Sequence, residues 1–360
     1  MKTLLFTLEY PPFHGGVANY YGNLVKYWPE PDYISVLHNN NGRLINNKLP
    51  LLKWLPAYFA LRRKIKQEKI GHVLAGQILP LGTVSLIYRK FYKTKYSVIL
   101  HGLDLAYALK QPRKKWLTGK ILKNSKKIIC TNSYVAKLAR QTFPEIGPKI
   151  AVINPGVDNN FQFSIFNFQL RKKYNLENKI VLLSVGRLVK RKGFDMVIEA
   201  MPKVLPEAPN LIYVIIGDGE EIENCKLKIE NFGLNGKVIF IQKADDNERN
   251  VWYAASDIFI MPAREINGDF EGFGLVYLEA NAAGKPVIAG NSGGVGDAVI
   301  DGLNGLLVDP LNTAEIASAI IKLAQNPALR QKLGEQGRAR ALKEFNWPKQ
   351  IDKMYKIINL

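Results

Sequence analysis

The sequence predicts an α/β protein with two Rossmann-like, doubly wound parallel-sheet domains that face each other across a cleft. Three observations lead to this prediction. The chain of 360 residues is long for one hydrophobic core and comfortable for two domains of ordinary size. Short segments rich in β-branched residues alternate with helical patterns. These segments are continuously apolar, which is typical of strands buried on both faces of a parallel sheet.

The strand pattern runs through both halves of the chain and then gives way to helices. In the first half the predicted strands are Leu4–Leu8, Ile34–Leu37, His72–Ala75, Ser97–Leu100, Lys127–Thr131 and Ile150–Ile153. In the second half they are Ile180–Val185, Leu211–Ile216, Val238–Ile241, Ile258–Met261, Val287–Ala289 and Gly305–Val308. Helical periodicity marks Arg171–Tyr174, Ala314–Ala324, Ala328–Glu344 and Pro348–Ile358. The segment 159–178, rich in Asn and Phe, places the boundary between domains 1–165 and 166–346.

Composition excludes several classes of protein. With 47% hydrophobic and 22% charged residues, the chain is not of the disordered class. The two cysteines, Cys130 and Cys225, provide neither a disulfide framework nor metal-ligand spacing, and we interpret them as reduced packing residues of a cytoplasmic protein. The apolar run 3–8 is too short for a signal peptide, and glycines and polar residues interrupt the charge-free stretch 70–88. A membrane-spanning helix is therefore not expected.

The positive charge of the chain is unevenly distributed. Residues 1–167 contain 25 Lys and Arg against 7 Asp and Glu, a net of +18, whereas the remaining residues contain 25 against 24, a net of +1. A basic surface that aids solubility would explain any single lysine. An asymmetry this large indicates that the first domain faces an anionic partner, either a lipid head-group surface or a nucleic acid.

Two loops of the first domain stand where ligands of doubly wound sheets bind, at the carboxyl ends of strands. Gly15 and Gly16 lie between the first strand and a helix that starts near Val17, where backbone N–H groups can approach an anion. The alternative is a tight turn without a ligand. His101 follows the strand Ser97–Leu100 and can donate a hydrogen bond to a sugar hydroxyl or to developing charge. A structural histidine is the alternative.

The loops of the second domain carry cations and glycines. The strand Ile180–Val185 leads into Gly186-Arg187-Leu188-Val189-Lys190-Arg191-Lys192-Gly193. In this loop the Arg187 guanidinium can donate two parallel hydrogen bonds to a diphosphate, and Lys192 can act as a point charge. Gly217 ends the next strand at the same edge, where a missing side chain would leave room for an extended ligand. A solvated basic loop is the alternative.

Two glutamates frame a glycine-rich helix start in the sequence 271–279. If the helix begins near Gly274, its free N–H groups point at an anion, with Glu271 ahead of the helix and Glu279 about one turn inside it. A carboxylate can accept both hydrogen bonds of a vicinal diol, which ribose and hexoses offer. The alternative is a capped amphipathic helix with two solvated glutamates.

Metal-binding spacing is absent from the sequence: there is no Asp-x-Asp pair, and no cluster of His, Cys, Asp and Glu has the spacing of metal ligands. We therefore predict that no metal and no cofactor is required. Arg187, Lys192 and the helix dipoles would stabilise the leaving diphosphate instead.

These motifs together resemble the family-4 glycosyltransferases of the GT-B architecture over the whole chain. The resemblance is carried by Gly15-Gly16, His101-Gly102, Asn154–Asp158, Gly186-Arg187 with Lys192-Gly193, and Glu271 with Glu279. The stretches Gly186–Asp195, Met261–Arg264 and Leu275–Gly290 are similar to the bacterial phosphatidylinositol mannosyltransferase branch, which uses GDP-mannose.

The resemblance implies roles for individual residues. Arg187 and Lys192 would bind the diphosphate, Glu279 the ribose, and Glu271 the donor hexose. His101, Glu271 and Lys192 would form the catalytic set. The donor site would be completed by the backbone of Phe273, Gly274 and Leu275 at the hexose, by Gly16 near the β-phosphate, and by Ala244 at the base. Gly15 and Gly217 are predicted donor-site residues from their loop positions. The resemblance also implies retention of anomeric configuration and a last helix, about 347–360, that joins the first domain.

The resemblance and the charge pattern imply a transferase that moves a hexose, mannose by preference, from GDP-mannose to a lipid-linked or glycan acceptor. Aromatic residues among lysines and arginines in 53–69 and 110–127 favour binding to an anionic membrane, on the inner face of the cell membrane. Three alternatives stay open: a UDP-sugar-dependent transferase of polysaccharide synthesis, an epimerase of the same fold, and a basic nucleic-acid-binding module. The last leaves the glutamate pair unexplained.

Overall fold

The computed structural model describes residues 1–13, 15–48, 52–158 and 165–360. The chain divides into two compact units, which we call the first unit (Met1–Gly156 with Trp347–Leu360) and the second unit (Val157–Asn346). The division lies before the boundary at 165 and 166 that the sequence suggests. Part of the segment on which that boundary depends, residues 159–164, lies outside the described residues.

The first unit contains a six-stranded parallel sheet in the order β2-β1-β3-β4-β5-β6. The strand order reverses between β1 and β3, so their carboxyl ends form the crevice in which such sheets bind ligands. The strands are β1 (Thr3–Thr7), β2 (Ile34–His38), β3 (His72–Ala75), β4 (Lys95–Leu100), β5 (Ile128–Cys130) and β6 (Ile150–Val152). The helices are α1 (Gly16–Lys26), α2 (Leu55–Glu68), α3 (Thr83–Tyr92), α4 (Leu103–Leu109), α5 (Pro112–Asn124) and α6 (Ser133–Thr142).

The second unit contains another six-stranded parallel sheet, in the order β12-β11-β10-β7-β8-β9. Here the order reverses between β7 and β10. The strands are β7 (Ile180–Val185), β8 (Leu211–Ile216), β9 (Val238–Ile241), β10 (Ile258–Met261), β11 (Val287–Gly290) and β12 (Gly305–Val308). The helices are α7 (Ile165–Lys173), α8 (Phe194–Val204), α9 (Ile222–Asn231), α10 (Asp246–Ala255), α11 (Leu275–Ala282), α12 (Val295–Ala298), α13 (Thr313–Gln325) and α14 (Pro327–Glu344).

Helix α15 (Trp347–Asn359) belongs to the first unit, although it follows the second unit in the chain. Its side chains Trp347, Ile351 and Met354 are buried in one cluster with Tyr20 and Tyr21 of α1. Position 156 must be glycine because a Cβ there would lie 2.6 Å from the backbone of Trp347. Shorter helical segments lie at Pro31–Tyr33, Ile78–Gly82, Pro144–Lys149 and Lys190–Lys192.

Both faces of the second sheet are covered, as the continuously apolar strands require. Val181 and Leu183 of β7 pack with Trp252 and Tyr277 on one face, whereas Leu182 packs with the cluster on the other. The strands predicted from the sequence are confirmed, with ends that differ by up to a few residues. The helix predicted at Arg171–Tyr174 is wrong in its bounds, because α7 begins at Ile165 within an apolar sequence and ends at Lys173.

Two smaller findings concern the cysteines and the membrane. Cys130 and Cys225 are both buried and unpaired, and burial raises the pKa of each thiol to about 12. They are packing residues, as the sequence predicts. Across the described ranges, no helix has the length and apolar character needed to span a membrane.

Candidate active site

The basic loop after β7 is held at the point where the order of the second sheet reverses. Lys190–Lys192 form one helical turn, and Gly193, with a φ of 78°, then takes the N-cap position of α8. A Cβ at position 193 would lie 2.3 Å from the carbonyl oxygen of Pro262, in the loop after β10. Glycine is required here because the two loops touch through their backbones. This contact places the cations of the loop beside the ligand crevice of the sheet.

Glu271 is the centre of a buried ion cluster. Its Oε2 atom accepts hydrogen bonds from Lys192 Nζ at 2.5 Å and from Arg191 Nη1 at 2.8 Å. The Arg191 guanidinium also lies 3.1 Å from Asp269 Oδ1. Burial alone would raise the pKa of the Glu271 carboxyl, but Lys192 and Arg191 together hold that pKa below its ordinary value. Glu271 is therefore an anion that is 8% exposed and fixed by two cations.

A second buried ion pair supports the same loop. Arg264 Nη2 donates to Asp195 Oδ2 at 2.7 Å, and both side chains are buried. The backbone N–H of Arg264 donates to the carbonyl of Arg191 at 2.8 Å. Arg264 thus ties the loop after β10 to the first turn of α8 and to the basic turn. This pair keeps Arg191 and Lys192 in reach of Glu271.

Helix α11 presents its N-terminus at the same edge of the sheet. It begins after Gly274, which has a φ of 79°, and no side chain caps it, so the predicted helix start is confirmed. A Cβ at Gly274 would lie 2.3 Å from the Tyr277 ring. The free N–H groups of an uncapped first turn favour an anion. The backbone N–H of Gly294, in the loop after β11, donates to the carbonyl of Glu271 at 2.9 Å and holds this residue in front of the helix.

Glu279 lies one turn inside α11 and is half-buried. Tyr253 Oη, on α10, donates to Glu279 Oε2 at 2.7 Å. Arg249 on the same helix is close enough for the Glu279 charge to contribute to the rise in its pKa. The tyrosine holds one oxygen of the carboxylate, which leaves lone pairs of the other for hydroxyl groups of a ligand.

The remaining predicted residues of the second unit occupy different environments. Arg187 is exposed and, within the described ranges, has no hydrogen-bond or ion-pair partner. Gly217 has a φ of 140°, and a Cβ there would lie 2.0 Å from the carbonyl oxygen of Gly186. The Gly186 backbone therefore lies where a side chain of residue 217 would stand, which is a sufficient reason for glycine here. A ligand contact at Gly217 stays a prediction. Phe273 is buried and Leu275 half-buried at the start of α11, and Ala244 lies half-buried between β9 and α10.

The predicted residues of the first unit lie around the reversal point between β1 and β3. His101 follows β4, and its Nε2 atom lies 2.7 Å from Tyr21 Oη. Burial lowers the pKa of His101 to about 4, so the imidazole is neutral at physiological pH. Gly15 precedes α1 and Gly16 is its first residue; a Cβ on Gly16 would meet nothing within 4 Å. No packing contact of the described residues requires glycine at position 16.

The structure thus brings together Lys192, Glu271 and the N-terminus of α11, and it joins Glu279 to Tyr253. Sequence reasoning missed Arg191 as a partner of Glu271, the pair of Asp195 with Arg264, and the tyrosines Tyr21 and Tyr253. Arg191 stands in the basic loop, so its charge was visible although its partner was not. Among the described residues, no group of three or more His, Cys, Asp or Glu side chains is placed to hold a metal ion. Metal independence stays a prediction.

Fold and site together define a class of protein: Rossmann-like domains that carry cations, carboxylates and an uncapped helix start at the reversal point of a parallel sheet. Two family models divide the chain between them. Residues 14–161 match Glycosyltransferase Family 4, and residues 166–340 match Glycosyl transferases group 1. The chain belongs to the family-4 glycosyltransferases, as the sequence resemblance predicts.

Individual relatives match over almost the full length. The GDP-mannose-dependent alpha-(1-6)-phosphatidylinositol monomannoside mannosyltransferase of Mycolicibacterium smegmatis is 28% identical, over 96% of this chain and 94% of the relative. A sucrose-phosphate synthase structure from Thermosynechococcus elongatus gives a TM-score of 0.83 at 21% identity, covering 100% of this chain and 98% of that one. Anabaena HepE in complex with UDP gives 0.81 at 19% identity, with 100% of both chains covered. The fold is GT-B, and the chain is a glycosyltransferase.

Proposed function

We propose that this enzyme transfers mannose from GDP-mannose to a lipid-linked or glycan acceptor, with retention of configuration and without a metal ion. The observation that carries the proposal is the cluster of Lys192, Arg191 and Glu271 at the uncapped start of α11. The choice of donor is supported by the mycobacterial relative, whose name specifies GDP-mannose. Its match extends over both units of the chain.

The cluster suits a sugar diphosphate because some of its N–H donors make no hydrogen bond within the part of the protein that the structure describes. A lysine ammonium has three N–H donors, and Glu271 takes one from Lys192. The others are available to a phosphate oxygen, together with the exposed guanidinium of Arg187 and the N–H groups of α11. Glu271, held as an anion, can accept hydrogen bonds from hexose hydroxyls, and Glu279 from the ribose. The base would lie at Ala244 and its neighbours.

A metal-independent transfer then follows from where charge develops. As the glycosidic bond to the diphosphate breaks, negative charge grows on the leaving phosphate oxygens. Lys192, Arg187 and the α11 dipole would stabilise it at fixed distances. On the resemblance, the leaving phosphate helps to deprotonate the acceptor hydroxyl on the same face of the sugar, which retains the configuration at the anomeric carbon.

The first unit offers a surface for an anionic membrane, which would bring a lipid-linked acceptor to the enzyme. Trp116 on α5 is 66% exposed, and Lys120 Nζ lies 5.7 Å from its ring centroid. Lys114 and Lys115, adjacent on the same helix, are exposed. Tyr107 on α4 is 54% exposed. Exposed aromatics among lysines are the features of a helix that binds anionic bilayers at the interface. On α2, by contrast, Leu61 and Ile65 face the core.

A donor screen tests the proposed reaction. The purified protein is incubated with GDP-mannose and, separately, with UDP-glucose, UDP-galactose and UDP-N-acetylglucosamine, with and without EDTA, and release of nucleoside diphosphate is measured. We expect release from GDP-mannose that EDTA does not reduce, and an α-linked product by NMR when a lipid acceptor is supplied. If nucleoside diphosphate is released only from a UDP-sugar, that UDP-sugar is the donor and GDP-mannose is not. Interconversion of UDP-sugars without release would favour the epimerase, and no binding of any sugar nucleotide would overturn the proposal.

Liposome flotation tests the membrane surface. We expect recovery with phosphatidylglycerol-containing vesicles and little recovery with neutral phosphatidylcholine vesicles. The variant with Lys114→Glu and Lys115→Glu should lose this recovery. The control variant with Lys203→Glu and Lys332→Glu makes the same charge change at exposed positions of the second unit and should keep it. Equal recovery from both vesicle types contradicts the membrane proposal, and tight salt-sensitive binding to arbitrary DNA would favour the nucleic-acid alternative.

A further inference from the structure

The hydroxyl of Tyr21 has two neighbours, and they have different hydrogen-bonding abilities. Tyr21 Oη donates to the carbonyl oxygen of Gly76, which follows β3, and it lies 2.7 Å from Nε2 of His101. The carbonyl can only accept a hydrogen bond. Burial raises the pKa of Tyr21 well above its ordinary value, so the phenol keeps its single proton. That proton is directed at Gly76.

The imidazole must therefore provide the proton of the second hydrogen bond. A phenol whose proton is already used can offer only lone pairs to Nε2. Nε2 of His101 thus carries hydrogen, and a neutral imidazole with hydrogen on Nε2 has a bare lone pair on Nδ1. Nδ1 has no hydrogen-bond partner among the residues that the structure describes.

We infer that Tyr21 holds His101 as the neutral Nε2–H tautomer, so that the imidazole accepts a hydrogen bond from the hexose through Nδ1 and does not donate one. The inference rests on the proposed function for the presence of a hexose, and on the family resemblance for its position beside His101. It reverses the expectation from the sequence, in which His101 is a donor. Tyr21 is a positioning residue, since it acts on the sugar only through the imidazole.

The surroundings of Tyr21 are built to keep this geometry. A Cβ at position 76 would lie 2.7 Å from Tyr21 Oη, so only glycine leaves space for the phenol. The rings of Tyr20 and Tyr21 both meet the imidazole edge to face, with centroids at 5.1 and 5.3 Å. Asp104 Oδ1 accepts the backbone N–H of His101 at 3.2 Å. The ring is thus held by aromatic packing, and the backbone is held separately by Asp104.

Tyr20 provides a matched control. It precedes Tyr21 on α1 and packs against the same imidazole and against Trp347. Its hydroxyl oxygen is buried and has no hydrogen-bond partner among the described residues. Removing either hydroxyl keeps an aromatic ring in place, but only Tyr21→Phe removes the acceptor of the Nε2 proton.

The tautomer can be measured directly without substrate. The chain has four histidines, so protein labelled with ¹⁵N-histidine gives few signals in a long-range ¹H–¹⁵N correlation, and His101→Asn assigns those of His101. We expect a protonated Nε2 and a bare Nδ1 at pH 7. Tyr21→Phe should mix the two tautomers, whereas Tyr20→Phe should leave the signals unchanged. A protonated Nδ1 or an imidazolium in the wild-type protein overturns the inference, and so does an unchanged spectrum of folded Tyr21→Phe.

Turnover of the donor then tests which nitrogen meets the sugar. An asparagine side chain reaches the position of Nδ1, and a glutamine side chain that of Nε2. We expect His101→Asn to retain roughly fivefold to tenfold more turnover than His101→Gln, the fold-change of one hydrogen bond. The reverse order overturns the role of Nδ1. If the wild-type tautomer is as stated but no sugar nucleotide is turned over, the proposed function fails and the tautomer assignment stands.

Discussion

The carboxyl edges of the two sheets hold their polar groups in different ways. In the second unit, Glu271 is an anion held by Lys192 and Arg191, and Asp195 pairs with Arg264 close by. In the first unit, a neutral imidazole, His101, meets a neutral phenol, Tyr21. Charges that are taken out of water require partners, so the second edge needs a network. At the edge of the first sheet both groups are neutral, so a hydrogen bond between His101 and Tyr21 with the proton on the right atom is sufficient.

This difference separates the effects that substitutions should have. Removing one ion from the carboxyl edge of the second sheet leaves its partner as an unpaired buried charge. This costs more free energy than the intact ion pair contributes to stability. Removing a neutral partner from the first edge changes which atom carries a proton while the charge stays the same. The variants below would either sharpen this contrast or remove it, and they run from the largest expected effect to the smallest.

Lys192→Ala should lower kcat with GDP-mannose by roughly 10²- to 10³-fold, because a charge that stabilises the leaving diphosphate is lost. Lys190→Ala is the matched control: it removes an exposed lysine of the same turn and should change kcat by less than about twofold. Circular dichroism verifies that both variants are folded. Wild-type turnover in Lys192→Ala would remove this residue from the mechanism.

Gly217→Ala should lower the free energy of unfolding by about 2 kcal/mol or more, because its Cβ would meet the Gly186 carbonyl in a backbone conformation that alanine rarely adopts. Gly16→Ala should leave it unchanged or raise it by up to about 1 kcal/mol, since the space is open and the position is helical. The same Gly16 variant should bind GDP-mannose more weakly. Urea unfolding and calorimetric titration measure the two effects. If both variants unfold alike, the contrast between the two glycines is wrong.

His72 makes the first unit sensitive to acid. It is fully buried on β3, both ring nitrogens lack a partner among the described residues, and burial next to Lys126 and Lys95 lowers its pKa to about 3. A histidine of the unfolded chain has a pKa near 6.5, so between pH 3 and pH 6.5 a proton binds the unfolded chain but not the buried His72. The contribution of His72 to the free energy of unfolding is therefore undiminished above pH 6.5 and falls as the pH drops towards 3. The loss is about 1.4 kcal/mol per pH unit, or about 2 kcal/mol at pH 5.

The comparison of His72→Leu with wild type isolates this contribution, because the other titrating groups of the unit are common to both. Asp104, whose pKa burial raises to about 6, is one of these groups and acts in the opposite direction. Glu271, in the second unit, has a pKa below the ordinary value of a glutamate. The stability that its ionised form provides is therefore lost only as the pH falls below that ordinary value. Urea unfolding from pH 7 to pH 5 should show wild type losing stability relative to His72→Leu. Parallel curves would contradict this.

Glu279→Ala should weaken binding of GDP-mannose by about tenfold, the value of a hydrogen bond to a charged group, with a smaller change in kcat. Glu315→Gln removes an exposed carboxylate on α13 and serves as the control. Calorimetric titration gives both dissociation constants. Equal affinities in the two variants would show that Glu279 does not contact the donor.

Sequence reasoning predicts the strands well because their apolar runs are continuous and their bounds depend on local residues. It also places Lys192 and Glu271 at the same edge of the sheet, since loops after parallel strands meet there. The pairing of these two residues, 79 positions apart, depends on how the loops fold and could not be read from spacing. The same holds for Asp195 with Arg264 and for Tyr21 with His101, 69 and 80 positions apart.

The glycines show a second limit. Gly16 and Gly217 look alike in the sequence, because each follows a predicted strand and has another glycine close by. Only the folded structure shows that a side chain at position 16 would face open space and one at position 217 a carbonyl oxygen. A position can be glycine because packing leaves no room for a side chain or because a ligand is expected to approach the backbone. The atoms around the Cβ position show whether packing is the reason.

The position of α15 has a consequence for how the protein is made. The core of the first unit includes Trp347, Ile351 and Met354, which leave the ribosome after all of the second unit. The second unit is continuous in the chain, so all of its residues are synthesised before Trp347. The first unit begins earlier and finishes later, because the Tyr20 side of its core waits for Trp347. The unit whose synthesis starts first is thus the last to have its complete core sequence available.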